Sequence, residues 1–152
     1  MATLYHQVWM NAPVSTVYAS ISTATGLGQW WAPHTSAQTP DGLVLAHDPG
    51  PEHGEVRMRV LDMLPDRRVE WEIISTHPRR SPASAWTGTH VIFELAEREN
   101  PGARLGIEHD GPRMTVLEFR HTGWDEGSEY LGFCNFAWGT TLAMLKQWCE
   151  SR

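Results

Sequence analysis

Apolar and polar residues alternate with period two over several stretches of the chain, and then switch to a helical period at the end. Leu4, His6, Val8 and Met10 share one face of a first strand, with Tyr5, Gln7 and Trp9 on the other. Asn11-Ala12-Pro13 breaks that pattern, and Val14, Val17, Tyr18 and Ile21 give a helix up to Ser22. Thr23 to Trp31 reads as a second short helix interrupted by glycines. The Pro- and Gly-rich segment Ala32 to Gly54 is poor in regular structure, apart from a short strand near Leu43 to Ala46. From Glu55 alternation returns: Val56, Met58 and Val60 inward with Arg57 and Arg59 outward, a turn at Leu64-Pro65-Asp66-Arg67, then Val69, Trp71 and Ile73 inward. Glu70 and Glu72 fall on the same outer face as the arginines, which makes a solvated charge ladder.

His77 to Ser84 is a basic loop, and Trp86 to Ala96 is the next strand, with Val91, Phe93 and Leu95 inward. Glu97 to Arg113 is rich in loop signals, and Thr115 to His121 is the last strand, with Leu117, Phe119 and His121 on one face. The stretch Asp125 to Arg152 then carries Tyr130, Cys134, Ala137, Trp138, Thr141, Leu142, Leu145 and Trp148 at three- and four-residue steps. If about 24 of its residues are helical, the rod is roughly 36 Å long, enough to cross a small domain. Strand, two helices, antiparallel strands and a long helix make an α+β fold, read as one domain over residues 1–152. A single helix laid on a curved sheet leaves space that large side chains or a cavity must fill.

Composition narrows the function. The formal net charge is −6 and no Lys/Arg run occurs, which disfavours a nucleic-acid partner. No apolar run approaches ~18 residues and the amino terminus lacks a signal-peptide pattern, so no membrane span is expected and the location reads as cytoplasmic. Cys134 and Cys149 lie fifteen positions apart on one predicted helix, beyond disulfide reach, and two unpaired thiols suit a reducing compartment. The eight histidines include no zinc-type spacing, so no metal is expected; His47 and His53 read as exposed loop residues. No phosphate loop or nucleophile elbow is present, and no cofactor is implied.

Several pieces fall in a particular order along the chain: Ala12-Pro13 with Val17-Tyr18, Gly28-Gln29-Trp30-Trp31, and Pro65-Asp66-Arg67-Arg68-Val69-Glu70-Trp71. Further on come Trp86-Thr87-Gly88-Thr89-His90-Val91-Ile92-Phe93-Glu94-Leu95, His121-Thr122-Gly123-Trp124, and Trp138-Gly139 followed by Leu142, Leu145 and Lys146. With the order of elements, these pieces resemble the START/Bet v1-like (SRPBCC) superfamily, and within it the bacterial branch similar to the activator of Hsp90 ATPase. The resemblance implies a helix-grip fold, in which a curved antiparallel sheet grips the carboxy-terminal helix around an apolar cavity. It implies no single chemistry.

The leading functional reading is a protein that holds a small hydrophobic or aromatic molecule between sheet and helix. Tyr18, Trp31, Trp71, Phe93, Phe119, His121, Trp138 and Thr141 are the positions expected to face the cavity. Of the adjacent Trp30 and Trp31, either one packs inward and the other lies at the rim as a ligand gate, or both pack under the loop. A second reading is an enzyme of the polyketide cyclase or hydrolase type with His121 as acid/base; the plainer explanation is a histidine that ties the strand end down. A third is a co-chaperone-like interaction module. The chain is expected to be a monomer or homodimer.

Overall fold

The structure is a computed structural model that describes residues 1–104 and 111–152. Seven antiparallel strands form one curved sheet: β1 (Ala2–Met10), β2 (Thr35–Thr39), β3 (Gly42–His47), β4 (Val56–Leu64), β5 (Arg68–Ile73), β6 (His90–Glu99) and β7 (Arg113–Trp124). The order across the sheet is β1-β7-β6-β5-β4-β3-β2, so β2 to β7 follow chain order and β1 joins beside β7. Helices α1 (Val14–Ser22) and α2 (Ala24–Leu27) carry the chain from one edge of the sheet to the other, and α4 (Leu131–Glu150) closes the open side.

The alternation decides which face is inside. Leu4 and Met10 of β1, Val69, Trp71 and Ile73 of β5, Val91 and Phe93 of β6, and Leu117, Phe119 and His121 of β7 are all buried. Their polar alternates form the outer face, where Arg59 pairs with Glu72 and Glu70 takes Arg68 and His90 as partners. Trp71, Phe93 and Phe119, from three neighbouring strands, meet edge to face at centroid distances of 5.1 and 5.3 Å. Phe119 passes the contact on to Trp138 of α4 at 4.5 Å. An aromatic row therefore joins sheet to helix.

α4 runs alongside β1. Lys146 Nζ donates to the Trp9 carbonyl at 2.7 Å, His6 Nε2 lies 2.9 Å from Asn135 Oδ1, and the Asn11 amide donates to Glu150. Gly139 sits at the crossing, where a Cβ would stand 3.3 Å from the His6 ring. Gly26 allows a closer approach still: a Cβ there would fall 2.1 Å from the Ala19 carbonyl oxygen, so only glycine lets α2 fold back on α1.

Five features differ from expectation. The helix starts at Leu131, not Asp125, because Asp125 and Ser128 hold a turn by accepting from the amides of Gly127 and Tyr130. Its twenty residues make about 30 Å of rod. The second short helix stops at Leu27. Strand β2 went unforeseen because Thr35–Thr39 is polar and mostly exposed, an edge strand with no buried face to signal it. Trp86, expected to open a strand, instead closes a 3-10 turn (Pro82–Ala85) that Ser81 caps by accepting from the Ala83 amide. The expected loop Glu97 to Arg113 is partly strand, since Glu99 pairs with Arg113 and Pro101–Arg104 is a short helix, α3; residues 105–110 lie outside the described ones.

Candidate functional site

A pocket opens between the first half of α4, the 3-10 turn and the segment after α2. Its inner part, about 70 Å³, is lined by Trp31, Trp86, Cys134, Ala137, Trp138 and Thr141. An outer groove of about 230 Å³ shares Trp31, Trp86, Cys134 and Ala137 and adds His47, His53, Ser81 and Phe133, among others. The walls are indole planes. Trp86 and Trp138 stack at 5.7 Å with 16° between their planes, and Trp31 leans on Trp138 at 5.2 Å. The pocket exists because α4 presents small side chains, Cys134 and Ala137, between large ones. Depressions of about 340 and 580 Å³ elsewhere have mixed linings, the first with Glu97 and Arg113 and the second with five hydroxyl residues and a single indole, Trp148, so neither has this aromatic enclosure.

His121 holds the walls in place. Trp138 Nε1 donates to His121 Nδ1 at 3.1 Å. An indole N–H only donates, so Nδ1 is the acceptor and the ring proton sits on Nε2. Nε2 then donates to Thr89 Oγ1 at 2.8 Å, and the Thr89 hydroxyl donates to the Trp86 carbonyl. The imidazole is fully buried, and burial pushes its pKa down to about 3. It is a neutral link that orients Trp138 and Trp86, with both ring nitrogens already engaged. Trp86 Nε1 in turn lies 3.4 Å from Cys134 Sγ, and burial raises the pKa of that thiol. Neither group is a poised acid, base or nucleophile.

The rim opposite α4 carries histidines of another kind. His34 and His47 pack against Trp31 at centroid distances of 4.9 and 4.7 Å and lie 4.7 Å from each other. His47 is buried at the end of β3, not exposed in a loop as the sequence suggested. Burial, followed by the neighbouring His34, lowers its pKa to about 4; burial also lowers that of His34. Both rings are neutral at physiological pH. His53 Nδ1 bonds the Ser81 hydroxyl at 2.6 Å, which joins the β3–β4 connection to the 3-10 turn. Among the described residues, no three His, Cys, Asp or Glu side chains group to hold a metal ion.

Five buried side-chain polar atoms among the described residues lack a hydrogen-bond partner: His34 Nε2, His47 Nδ1, Arg59 Nε, Trp71 Nε1 and Trp124 Nε1. An unpaired buried donor or acceptor costs about 1–3 kcal/mol, so such atoms call for an explanation. Three of the five belong to rings in contact with Trp31, which stacks on Trp71 at 6.2 Å with 17° between planes.

Of the eight positions expected at the cavity, Trp31, Trp138 and Thr141 line the pocket. Trp71, Phe93, Phe119 and His121 form the buried layer behind it. Tyr18 is half-buried on α1, where burial, Asp66 and Asp62 raise the phenol pKa, and it lines neither part. Trp30 and Trp31 follow the first of the two alternatives: Trp30 is buried with its N–H on the Ser20 carbonyl at 2.8 Å, and Trp31 is half-buried at the rim. Trp86, Cys134 and Ala137 were not foreseen as wall. The signals were present, as a Ser-Pro start to a turn before Trp86 and two small residues on an otherwise bulky helix stripe.

Solved structures share this architecture. The Aha1 dimer from Colwellia psychrerythraea is similar over 99% of this chain and 97% of its own, with a TM-score of 0.71 and 24% identity. Bacillus halodurans protein BH1534 is similar over 99% and 98%, with a TM-score of 0.68 and 19% identity. DynU16, a protein of the dynemicin biosynthetic locus, is similar over 97% of this chain and 47% of its own, with a TM-score of 0.68 and 15% identity. At these identities the likeness establishes the fold. Comparison with curated protein sequences returned no match. Among the described residues, no helix is long and apolar enough to cross a membrane. The sequence model of one family, however, matches residues 11–150, from the break after β1 to the last turn of α4 and so across every wall of the pocket: the chain belongs to the activator of Hsp90 ATPase homolog 1-like family.

Proposed function

We propose that the protein binds a small, planar, apolar or aromatic molecule in the tryptophan-walled pocket between α4 and the 3-10 turn. The observation that carries this reading is the composite wall of Trp31, Trp86 and Trp138 around an opening floored by Cys134 and Ala137. Indole faces favour flat partners at offset-stacking distance, and apolar burial supplies about 25 cal/mol per Å². The engagement of both His121 nitrogens within the fold supports binding over turnover.

The test is tryptophan-fluorescence titration with naphthalene, indole and 2-naphthol, run on wild type and on Ala137→Phe, which fills the floor. Wild type is expected to bind at least one of these compounds, and the variant to weaken it at least tenfold. Failure to bind any of them up to the solubility limit, or equal affinity in the variant, refutes the assignment. Native mass spectrometry of freshly purified protein then reads the mass of any molecule that travels with it.

A further inference from the structure

The inner pocket, at about 70 Å³, is too small for an aromatic guest: a cavity that accepts benzene measures roughly 150 Å³. What fills the remaining space is Trp31. Its ring stands between Trp71 of the sheet and Trp138 of the helix, stacked on the first and tilted against the second. It is also the less anchored of the adjacent pair. Trp30 is pinned through its N–H to Ser20, whereas the Trp31 indole N–H bonds no described residue and its backbone is tied by one bond to the Leu27 carbonyl, just past the end of α2.

The unpaired polar atoms have the same centre. Trp71 Nε1 is a fixed donor. His34 Nδ1 faces the Ala32 carbonyl, which only accepts, so His34 carries its proton there and Nε2 is a fixed acceptor. His47 finds no hydrogen-bond partner among the described residues. The Trp31 ring covers all three rings and pairs with none of them. A guest bearing only acceptors would leave His34 unpaired, and a pure hydrocarbon would leave every one of them unpaired. A hydroxyl both donates and accepts.

Resting on the binding reading above, we propose that Trp31 occupies the ligand's own place and swings out to admit it, and that the ligand is a planar aromatic carrying a hydroxyl on its edge. The guest takes over the stacking position on Trp71 and the tilted contact with Trp138, and its hydroxyl pairs with polar groups that Trp31 leaves unpaired. Binding therefore exchanges one aromatic ring for another and adds hydrogen bonds, which selects phenols and naphthols over the parent hydrocarbons.

The experiment compares 2-naphthol with naphthalene by calorimetric titration of wild type and Trp31→Ala. The variant is expected to bind 2-naphthol at least tenfold more tightly than wild type, and to prefer it over naphthalene at least fivefold. His47→Phe in that background is expected to reduce the preference at least twofold. No gain on removing Trp31, or equal affinity for the two compounds, overturns the proposal. In ¹⁵N-labelled wild type, which does not depend on the variant folding, 2-naphthol is expected to move the Trp31 and Trp71 indole N–H resonances; an unmoved Trp71 signal overturns it equally. If wild type binds aromatics and Ala137→Phe blocks them while Trp31→Ala gains nothing, the pocket stands and the exchange fails. If neither protein binds, both fail.

Discussion

The link through His121 makes acid stability a direct measure of how the site is held. Burial disfavours the charged ring and holds its pKa near 3, against 6.5 for the free side chain, and a proton on Nδ1 would in addition face the Trp138 N–H. Between those two values the unfolded chain binds one more proton at this position than the folded chain does, so stability rises with pH and is lost on acidification. From pH 7 to pH 5, with the native ring still neutral, this one residue removes about 2 kcal/mol of stability, a substantial part of the 5–15 kcal/mol of a typical domain. Urea unfolding followed by tryptophan fluorescence at pH 7, 6 and 5 measures the loss. His47, held near 4, acts in the same direction, but a comparison with His121→Asn cancels it. The variant is expected to be weaker at pH 7 by about 1–3 kcal/mol, because part of the buried relay loses its partner. It should then lose about 2 kcal/mol less than wild type between pH 7 and 5. Equal losses in the two proteins, within 0.5 kcal/mol, would show that this imidazole is not the neutral, doubly bonded link described here.

Other consequences concern packing and reactivity. Gly26→Ala drives a methyl into the Ala19 carbonyl and should destabilise by at least 3 kcal/mol, whereas Gly132→Ala, which meets nothing within 4 Å, should be neutral or gain up to about 1 kcal/mol; thermal melts compare the two. Trp30→Phe keeps an aromatic ring but trims its volume and strands the Ser20 carbonyl, and should cost at least about 1–3 kcal/mol in urea unfolding without changing which aromatics bind. Cys134 and Cys149 are buried with raised thiol pKa values, so 5,5′-dithiobis(2-nitrobenzoate) should label them slowly in the native protein and rapidly in urea; rapid native labelling contradicts their burial.

What could be read from the chain followed the reach of each signal. Period-two alternation in β5, β6 and β7 marked the inner face correctly because one side of each strand is buried and a one-residue slip would invert it. The α4 stripe was readable through Cys134, Trp138, Leu142 and Leu145, all buried. Thr35–Thr39 carried no such contrast, since it is polar on both sides and owes its strand geometry to β3 alone. The site was harder. Trp71, Phe93 and Phe119 have the residue types expected of a cavity wall, but pattern reports only that a side chain points inward, and the depth at which neighbouring rings close over it is a matter of three-dimensional packing. Trp86 was misplaced because a four-residue 3-10 turn is too short to leave a period. The contrast between Trp30 and Trp31 turned on one carbonyl, that of Ser20, ten residues back.

The strand order also has a consequence for synthesis. Residues 2–10 are made before the other six strands of the sheet, yet their pairing partners, residues 115–124, belong to the strand made after all of them. Every other ladder in the sheet joins strands consecutive in the chain and can zip up as translation proceeds. The nascent β1 ribbon must therefore wait, unpaired, while β2 to β6 assemble, and pairing of β1 is the one ladder that cannot form until β7 has been made.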